Sequence, residues 1–501
     1  LLVGGIAAAM FATHRPGHWW GDDWALYVRQ ANALLDGTTR QVFEQNRFTV
    51  EQSLGAPFSP PLYPWGFPLL MAPFIAVAGD DLDRLAIVQV LCACVFACCW
   101  YALARPRLGR TVALVGVVAV AFTPLFVGWS ELVQTEWPYL ATSGLALVGL
   151  DRVARRRGLV DVTAAFWPVV WVGIGAAAAF TVRREGLAMV PAVGIAQLAA
   201  LYADRHRRWW TGQVDRVALV LRLLAPHLAA LMVVVGLQWL LPSTLVPKYS
   251  GTSVANTWRF LGRHIDHLAE ISGFKNTGSP DPTVFGNATL GWLAVATFLT
   301  LAVIGIGLSL TVFRDRDVHL FAYALVAFII GGSFRSAINR YICTVSPLLM
   351  LFALVAVTTP LRRRGRLRHI GTAVALLAVG ALATANIVNA EQRIDRSRAA
   401  IEAGSIEWGP DHPDAVAMFD EVMALTGPDD LVAAPKARAM TWATGRPSVQ
   451  VDDYRPVPTA VTPAVVVTEV GSELTGQLEA LPAAYTVVWR NQRFVIFQPS
   501  S

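Results

Sequence analysis

Asp151-Arg152-Val153-Ala154-Arg155-Arg156-Arg157-Gly158 is a short, densely basic stretch set between two apolar runs, at 133–150 and 162–181. Read as a binding patch, it would suit a soluble protein with a nucleic-acid partner. Read as a loop between two hydrophobic spans, it makes the chain a polytopic membrane protein. Composition decides between the two. Of 501 residues, 54% are hydrophobic and 15% charged, and the mean hydropathy is +0.47; soluble domains carry about 25% charged residues. The net charge of +6 is therefore a topology signal before it is a binding signal.

Working outward from that loop, apolar runs fall at 1–13, 84–104, 111–128, 133–150, 162–181, 186–203, 217–241, 289–311, 318–333, 341–358 and 369–389. Each is near the ~20 residues that a helix needs to cross the hydrocarbon. With the first span starting inside, alternate loops collect the arginines: 105, 107 and 110; 152, 155, 156 and 157; 205, 207, 208 and 216; 314 and 316; 362, 363, 364, 366 and 368. All dense basic clusters then share the cytoplasmic side. The run Tyr63–Ala78, broken by Pro64, Pro68 and Pro73, would upset this parity as a span and is read as a helix at the outer interface. The chain starts at Leu1, so the cytoplasmic start of the first span is expected to be missing.

The expected fold is mainly α: a transmembrane helical bundle of about 11 spans with a small C-terminal extracytoplasmic α/β domain. Residues 1–390 form the membrane part, with extracytoplasmic loops at 14–83 and 242–288, and 391–501 the outer domain. In that tail, Asp414–Leu425 has helical spacing, and strand-like runs follow at Leu431–Ala434, Val465–Val470, Tyr485–Trp489 and Phe494–Phe497. All five cysteines lie in apolar segments, so no disulfide framework holds the tail.

The residues that break the charge rule point to chemistry. Arg183 and Arg184 occupy a tight turn between spans on the outer side, Lys248 and Tyr249 a large outer loop, and Arg340-Tyr341 the last outer turn. Arg259, Arg263 and Arg335 are also on that side. Cations at membrane depth need a partner or a polar cavity; a lipid phosphate would serve, since guanidinium donors match its oxygens. Snorkelling to water, or pairing with a carboxylate such as Glu185, is the plainer alternative for any one of them. Asp22 and Asp23 open an amphipathic helix that includes Tyr27. Capping explains one of the two acids; the other could face a cavity and act as a base on a hydroxyl. Glu131 and Glu136 flank another outer turn, where Glu136 either pairs with Arg183 or Arg184 or touches substrate. No phosphate-binding glycine loop, zinc-protease motif, serine-hydrolase elbow or cysteine metal pair is present.

Placed together, these motifs resemble the GT-C class of integral-membrane glycosyltransferases. The likeness is strongest to bacterial relatives of protein O-mannosyltransferases and the lipid A aminoarabinose transferase. It rests on Asp22-Asp23 with Tyr27; Ser59-Pro60-Pro61-Leu62-Tyr63-Pro64-Trp65-Gly66; Thr135-Glu136; Arg183-Arg184-Glu185-Gly186; Arg340-Tyr341 with Pro347; and, in the tail, Lys436-Ala437-Arg438 with Thr444-Gly445-Arg446. The pair is Asp-Asp where the class more often has Asp-Glu, so which acid is the base stays open.

The resemblance implies an inverting hexosyl or pentosyl transfer at the outer face of the plasma membrane, from a polyprenyl-phosphate sugar to a glycan, lipid or protein hydroxyl. Asp22 or Asp23 would be the base. Glu136, Arg183, Arg184, Lys248, Tyr249, Arg340, Tyr341 and Tyr27 would bind substrate. The lipid-linked sugar is a co-substrate; a divalent cation held by the acids remains an alternative, and no nucleic acid is expected. The competing reading is a transporter or flippase of a lipid-linked sugar, which would favour duplicated halves and mid-membrane helix breaks.

Overall fold

The computed structural model describes residues 1–54, 59–156, 158–204, 216–245, 253–275, 281–282, 287–313, 317–334, 339–362, 368–404, 406, 409–458 and 460–500. Four helices open the chain: α1 (Leu2–Thr13), α2 (Asp23–Asp36), α3 (Thr39–Gln52) and α4 (Gly66–Ala78). α5 (Leu82–Leu108), α6 (Arg110–Ala121), α7 (Pro124–Trp129), α8 (Glu136–Arg155), α9 (Trp167–Val182), α10 (Met189–Asp204) and α11 (Arg216–Leu240) follow. Two short helices, α12 (Val254–Arg259) and α13 (Leu261–Ile271), lead into α14 (Ala288–Leu308), α15 (Val318–Gly332), α16 (Val345–Arg362) and α17 (Arg368–Glu402).

Most apolar runs become helices, but not all become spans on length. Among the described residues five helices are long and apolar enough to cross a membrane: α5, α10 with its preceding turn, α11, α14 and α17. Six other apolar helices have 10–17 residues, and α4, with 13, rises only about 20 Å. The expected single span at 111–128 is two helices. Pro124 offers no N–H, and Thr123 before it is extended (φ −58°, ψ 139°), so α6 ends and α7 begins anew.

The last apolar run also departs from expectation. It continues past residue 389 as one 35-residue helix, α17, about 52 Å long. No Pro interrupts it, Gly371 and Gly380 sit within it without breaking it, and Gly404, with a φ of 59°, marks the end. The limit placed at residue 390 thus falls inside a helix. Beyond it, Arg393 makes a bidentate pair with Glu131 (2.8 Å for both bonds) and Ser397 donates to the Thr13 carbonyl. Glu131 is therefore committed to holding α17 against the end of α7.

The tail folds as α18 (Pro413–Leu425), β1 (Val432–Ala434), α19 (Ala437–Thr444), β2 (Ser448–Gln450), β3 (Val465–Glu469), α20 (Glu473–Glu479), β4 (Tyr485–Arg490) and β5 (Phe494–Pro499). The sheet runs β2-β1-β3-β5-β4, parallel at β1's two pairings and antiparallel at β5's. Alternation along β3 and β5 fills both faces. Val465, Val467, Phe494 and Ile496 pack with Met418 and Phe419, while Val466, Val495 and Phe497 pack with Leu474 and Leu478. Trp20 joins the first of these clusters, with its ring centroid 6.1 Å from Phe419 and 5.5 Å from Phe494. The segment before α2 is thus stitched into the α/β unit.

One loop arginine is not a loop arginine at all. Arg107 is fully buried and bridges Asp151 on α8 (2.6 Å) and Asp317 before α15 (2.7 Å), with Arg155 also on Asp151 (2.9 Å). Partly compensated charges of this kind fix how α5, α8 and α15 meet.

Candidate functional site

The site begins where adjacent acids diverge. Asp22 sits at the N-cap position of α2 but makes no cap bond there. Its Oδ1 instead accepts from the backbone N–H of Arg438 (3.0 Å) and of Ala439 (3.3 Å), capping α19 of the C-terminal unit. Its Oδ2 is buried without a hydrogen-bond partner. Burial, reinforced by the Asp23 charge, outweighs Arg438 and Lys436 and holds this carboxyl above the usual range.

Asp23 lies about 100° further round the helix and opens onto a cleft. Tyr63 donates to Oδ1 at 2.5 Å and Arg340 Nη1 to Oδ2 at 3.3 Å. Burial works against its ionisation, but Arg340, the Tyr63 hydrogen bond, Arg438 and Arg183 together prevail, so its carboxyl sits below the usual aspartate range. The two acids have opposite character because different elements meet them.

Behind Asp23 lies a guanidinium-rich floor. Glu136, fully buried at the first position of α8, accepts through one oxygen from both Arg340 Nε (2.5 Å) and Arg183 Nη1 (2.8 Å). Arg183 also pairs with Glu185 at 3.0 Å and lies over the Tyr341 ring. The turn that carries Arg183, Arg184 and Glu185 folds back on α9 because Gly186 meets the Ala179 backbone with no room for a side chain. Gly66 presses on the Thr181–Val182 backbone in the same way, which brings Tyr63 and Pro64 to this turn.

Arg184 differs from its neighbours. It donates to the Thr244 carbonyl through Nη2 (2.5 Å), its Nε is buried without an acceptor, and no carboxylate pairs with it among the described residues. Among the described residues, four guanidiniums (Arg183, Arg184, Arg340, Arg438) stand with four carboxylates (Asp22, Asp23, Glu136, Glu185). Of the four guanidiniums, Arg184 is the one that no carboxylate pairs among the described residues.

Of the residues singled out in the sequence, Asp23, Tyr27, Arg183, Arg184, Arg340 and Tyr341 line one cleft, with Tyr63, Pro64, Thr135, Glu185 and Phe334. Glu136 lies behind it. Asp22 faces α19 instead, and Lys248, Tyr249 and Arg335 lie outside the described residues. Arg259 and Arg263 flank Phe260 elsewhere. In the sequence, Tyr63 and Arg438 stand out only as parts of longer motifs. Arg438, itself 1% exposed, donates to Asn46 (2.9 Å), Tyr63 (3.2 Å), Ser59 and the Pro60 carbonyl (3.0 Å). The α/β unit thereby reaches the hydroxyl that holds Asp23.

A metal fits this donor set poorly. The Arg340 guanidinium bonds both Asp23 and Glu136, and so takes the place between them that a divalent ion would need. Among the described residues, no group of three His, Cys, Asp or Glu side chains is arranged to hold one.

This fold is that of the GT-C membrane glycosyltransferases, and the chain is a multi-pass membrane protein. Residues 59–230 match the family model of dolichyl-phosphate-mannose-protein mannosyltransferases. ArnT from Cupriavidus metallidurans bound to undecaprenyl phosphate superposes with a TM-score of 0.55 at 15% identity, covering 99% of this chain and 97% of that one. The Archaeoglobus fulgidus oligosaccharyltransferase in complex with Zn and sulfate gives a TM-score of 0.53 at 13% identity, covering 97% and 71%. The same archaeal enzyme tethered to an acceptor peptide gives 0.51 at 13% identity, covering 100% and 74%. No curated protein sequence matches the chain.

Proposed function

We propose that the protein transfers a sugar from a polyprenyl-phosphate donor to an acceptor hydroxyl, with inversion, at the extracytoplasmic membrane surface. The observation that carries this reading is that one cleft holds both the carboxylate of Asp23 and Arg184, a cation that no carboxylate pairs among the described residues. The similar ArnT structure holds undecaprenyl phosphate, a lipid of the required class, and the archaeal enzyme holds an acceptor peptide.

In this mechanism Asp23 takes the acceptor hydroxyl's proton as its oxygen bonds to the anomeric carbon from the face opposite the phosphate. The bond from that carbon to the phosphate oxygen breaks, and its electron pair leaves with the polyprenyl phosphate. Arg184, backed by Arg183 and Arg340, meets the growing negative charge; preorganised cations act most strongly where water is excluded. Tyr63 and Arg438 position Asp23, which gives the α/β unit its role at the site. Tyr27 and Tyr341 form walls for the sugar; Lys248 and Tyr249, expected from the sequence to bind substrate, lie outside the described residues.

The placement of charges along α8 supports this sidedness. Its first residue, Glu136, is at the site, and the Arg152–Arg156 cluster is at its other end, about 24–30 Å away. That distance is close to the hydrocarbon thickness. Basic clusters face the cytoplasm, so the cleft faces out. Incubation of the purified protein with a labelled polyprenyl-phosphate sugar and a panel of hydroxyl acceptors tests the proposal. It stands if label moves to an acceptor and fails if the sugar lipid is only translocated.

A further inference from the structure

A second cavity opens at the opposite end of α8, in the side of the bundle. It measures about 550 Å³ and lies between α8, α9 and α11, a size within the range of small-ligand sites. Its walls are apolar: Leu145, Ala146, Gly149, Trp171, Val172 and Ala178. Leu145 and Trp171 are exposed, so the groove is open to the surroundings of the bundle, which in a membrane are acyl chains.

The rim at one end is cationic. Arg152 and Arg156 border the groove, are exposed, and have no carboxylate partner among the described residues. The nearby acids are engaged elsewhere. Asp151 is taken by Arg107 and Arg155, and Asp161 accepts from the Thr163 backbone and hydroxyl. Arg222 closes the floor, donating to the carbonyls of Gly158 (2.6 Å), Ala164 (2.8 Å) and Ala165 (2.8 Å). It fixes the loop that shapes the groove.

We infer that this groove is a binding site for a phospholipid with an anionic headgroup, drawn from the leaflet opposite the cleft. One acyl chain lies along the apolar wall beside Trp171, and the phosphate meets Arg152 and Arg156, whose guanidiniums suit it bidentately. A zwitterionic lipid would fill the same wall while adding a cation beside the arginines. The inference does not depend on the proposed sugar transfer, because the groove shares no residue with the cleft and its arginine rim lies at the end of α8 opposite Glu136.

The test uses the full protein in vesicles and brominated-chain lipids, which quench nearby tryptophan. The signal is the quenching lost in Trp171→Phe. Brominated phosphatidylglycerol should quench it at a mole fraction about 25-fold lower than brominated phosphatidylcholine, at about fivefold for each of the two arginines. Arg152→Gln/Arg156→Gln should remove that preference, and Arg152→Lys/Arg156→Lys should restore much of it. A Cβ at residue 149 meets no neighbouring atom within 4 Å and Gly149 lines the groove, so Gly149→Leu should fill the groove and reduce quenching by both lipids. Equal quenching by the two lipids, a preference that survives the double glutamine change, or unchanged quenching in Gly149→Leu would each overturn the inference.

Discussion

Asp22 accepts a hydrogen bond from the backbone nitrogen of Arg438, 416 residues further along the chain, at 3.0 Å. The acid next to the proposed base is thereby spent on a helix in another part of the molecule. Asp22→Asn keeps an acceptor for both N–H groups of α19 and should retain most transfer activity. Asp22→Ala orphans them and should cost about 0.5–2 kcal/mol of stability, read as a lower denaturant midpoint. A loss of chemistry in Asp22→Asn equal to that in Asp23→Asn would contradict this division of labour.

Asp23 sits below the ordinary aspartate range, which fixes two pH dependences. As base it is already ionised at mildly acidic pH, so the acid limb of kcat should lie below about pH 4. Its contribution to stability has the same sign: present above the unfolded-chain pKa, and lost as pH falls through the lower folded one. Tyr63→Phe removes a hydrogen bond that favours the carboxylate, so its kcat profile should shift to higher pH. An unmoved acid limb would remove Tyr63 from the positioning chain.

Arg184 offers the uncommitted charge. Arg184→Ala should raise the apparent KM for the lipid-linked donor about tenfold or more, since a hydrogen bond to a charged group contributes about 1.5–3 kcal/mol. The KM for the acceptor should change little. An unaltered donor KM would place the phosphate elsewhere.

Glu136 neutralises Arg183 and Arg340 together. Glu136→Gln would remove the anion that the two guanidiniums share, leaving Arg183 with Glu185 and Arg340 with Asp23. Removing one side of such a buried pair typically costs about 3–5 kcal/mol. Thermal or denaturant unfolding of the detergent-solubilised protein should register it, and a variant as stable as the parent would show that the ion cluster is not structural.

Much of this was legible in the sequence, for physical reasons. Apolar runs must become helices in lipid because no other open segment satisfies its backbone there. Arginines on the wrong side of the parity count had to find a polar site, and Arg183, Arg184 and Arg340 share one. The directions of Asp22 and Asp23 could not be read, since they depend on partners at positions 438 and 63. Arg107 looked like any other loop arginine because Asp151 and Asp317 stand 44 and 210 residues away. The break at Pro124 was written in the chain, but uniform hydropathy on both sides concealed it.

The anomeric configuration of the product bears most directly on the account. Given a synthetic polyprenyl-phosphate sugar of defined configuration, the purified protein should release a glycoside of the opposite one. Asp23→Asn should lower kcat by about 10²–10⁴ while still binding the donor. A product of retained configuration, or an Asp23→Asn enzyme as fast as its parent, would contradict direct displacement with Asp23 as the base.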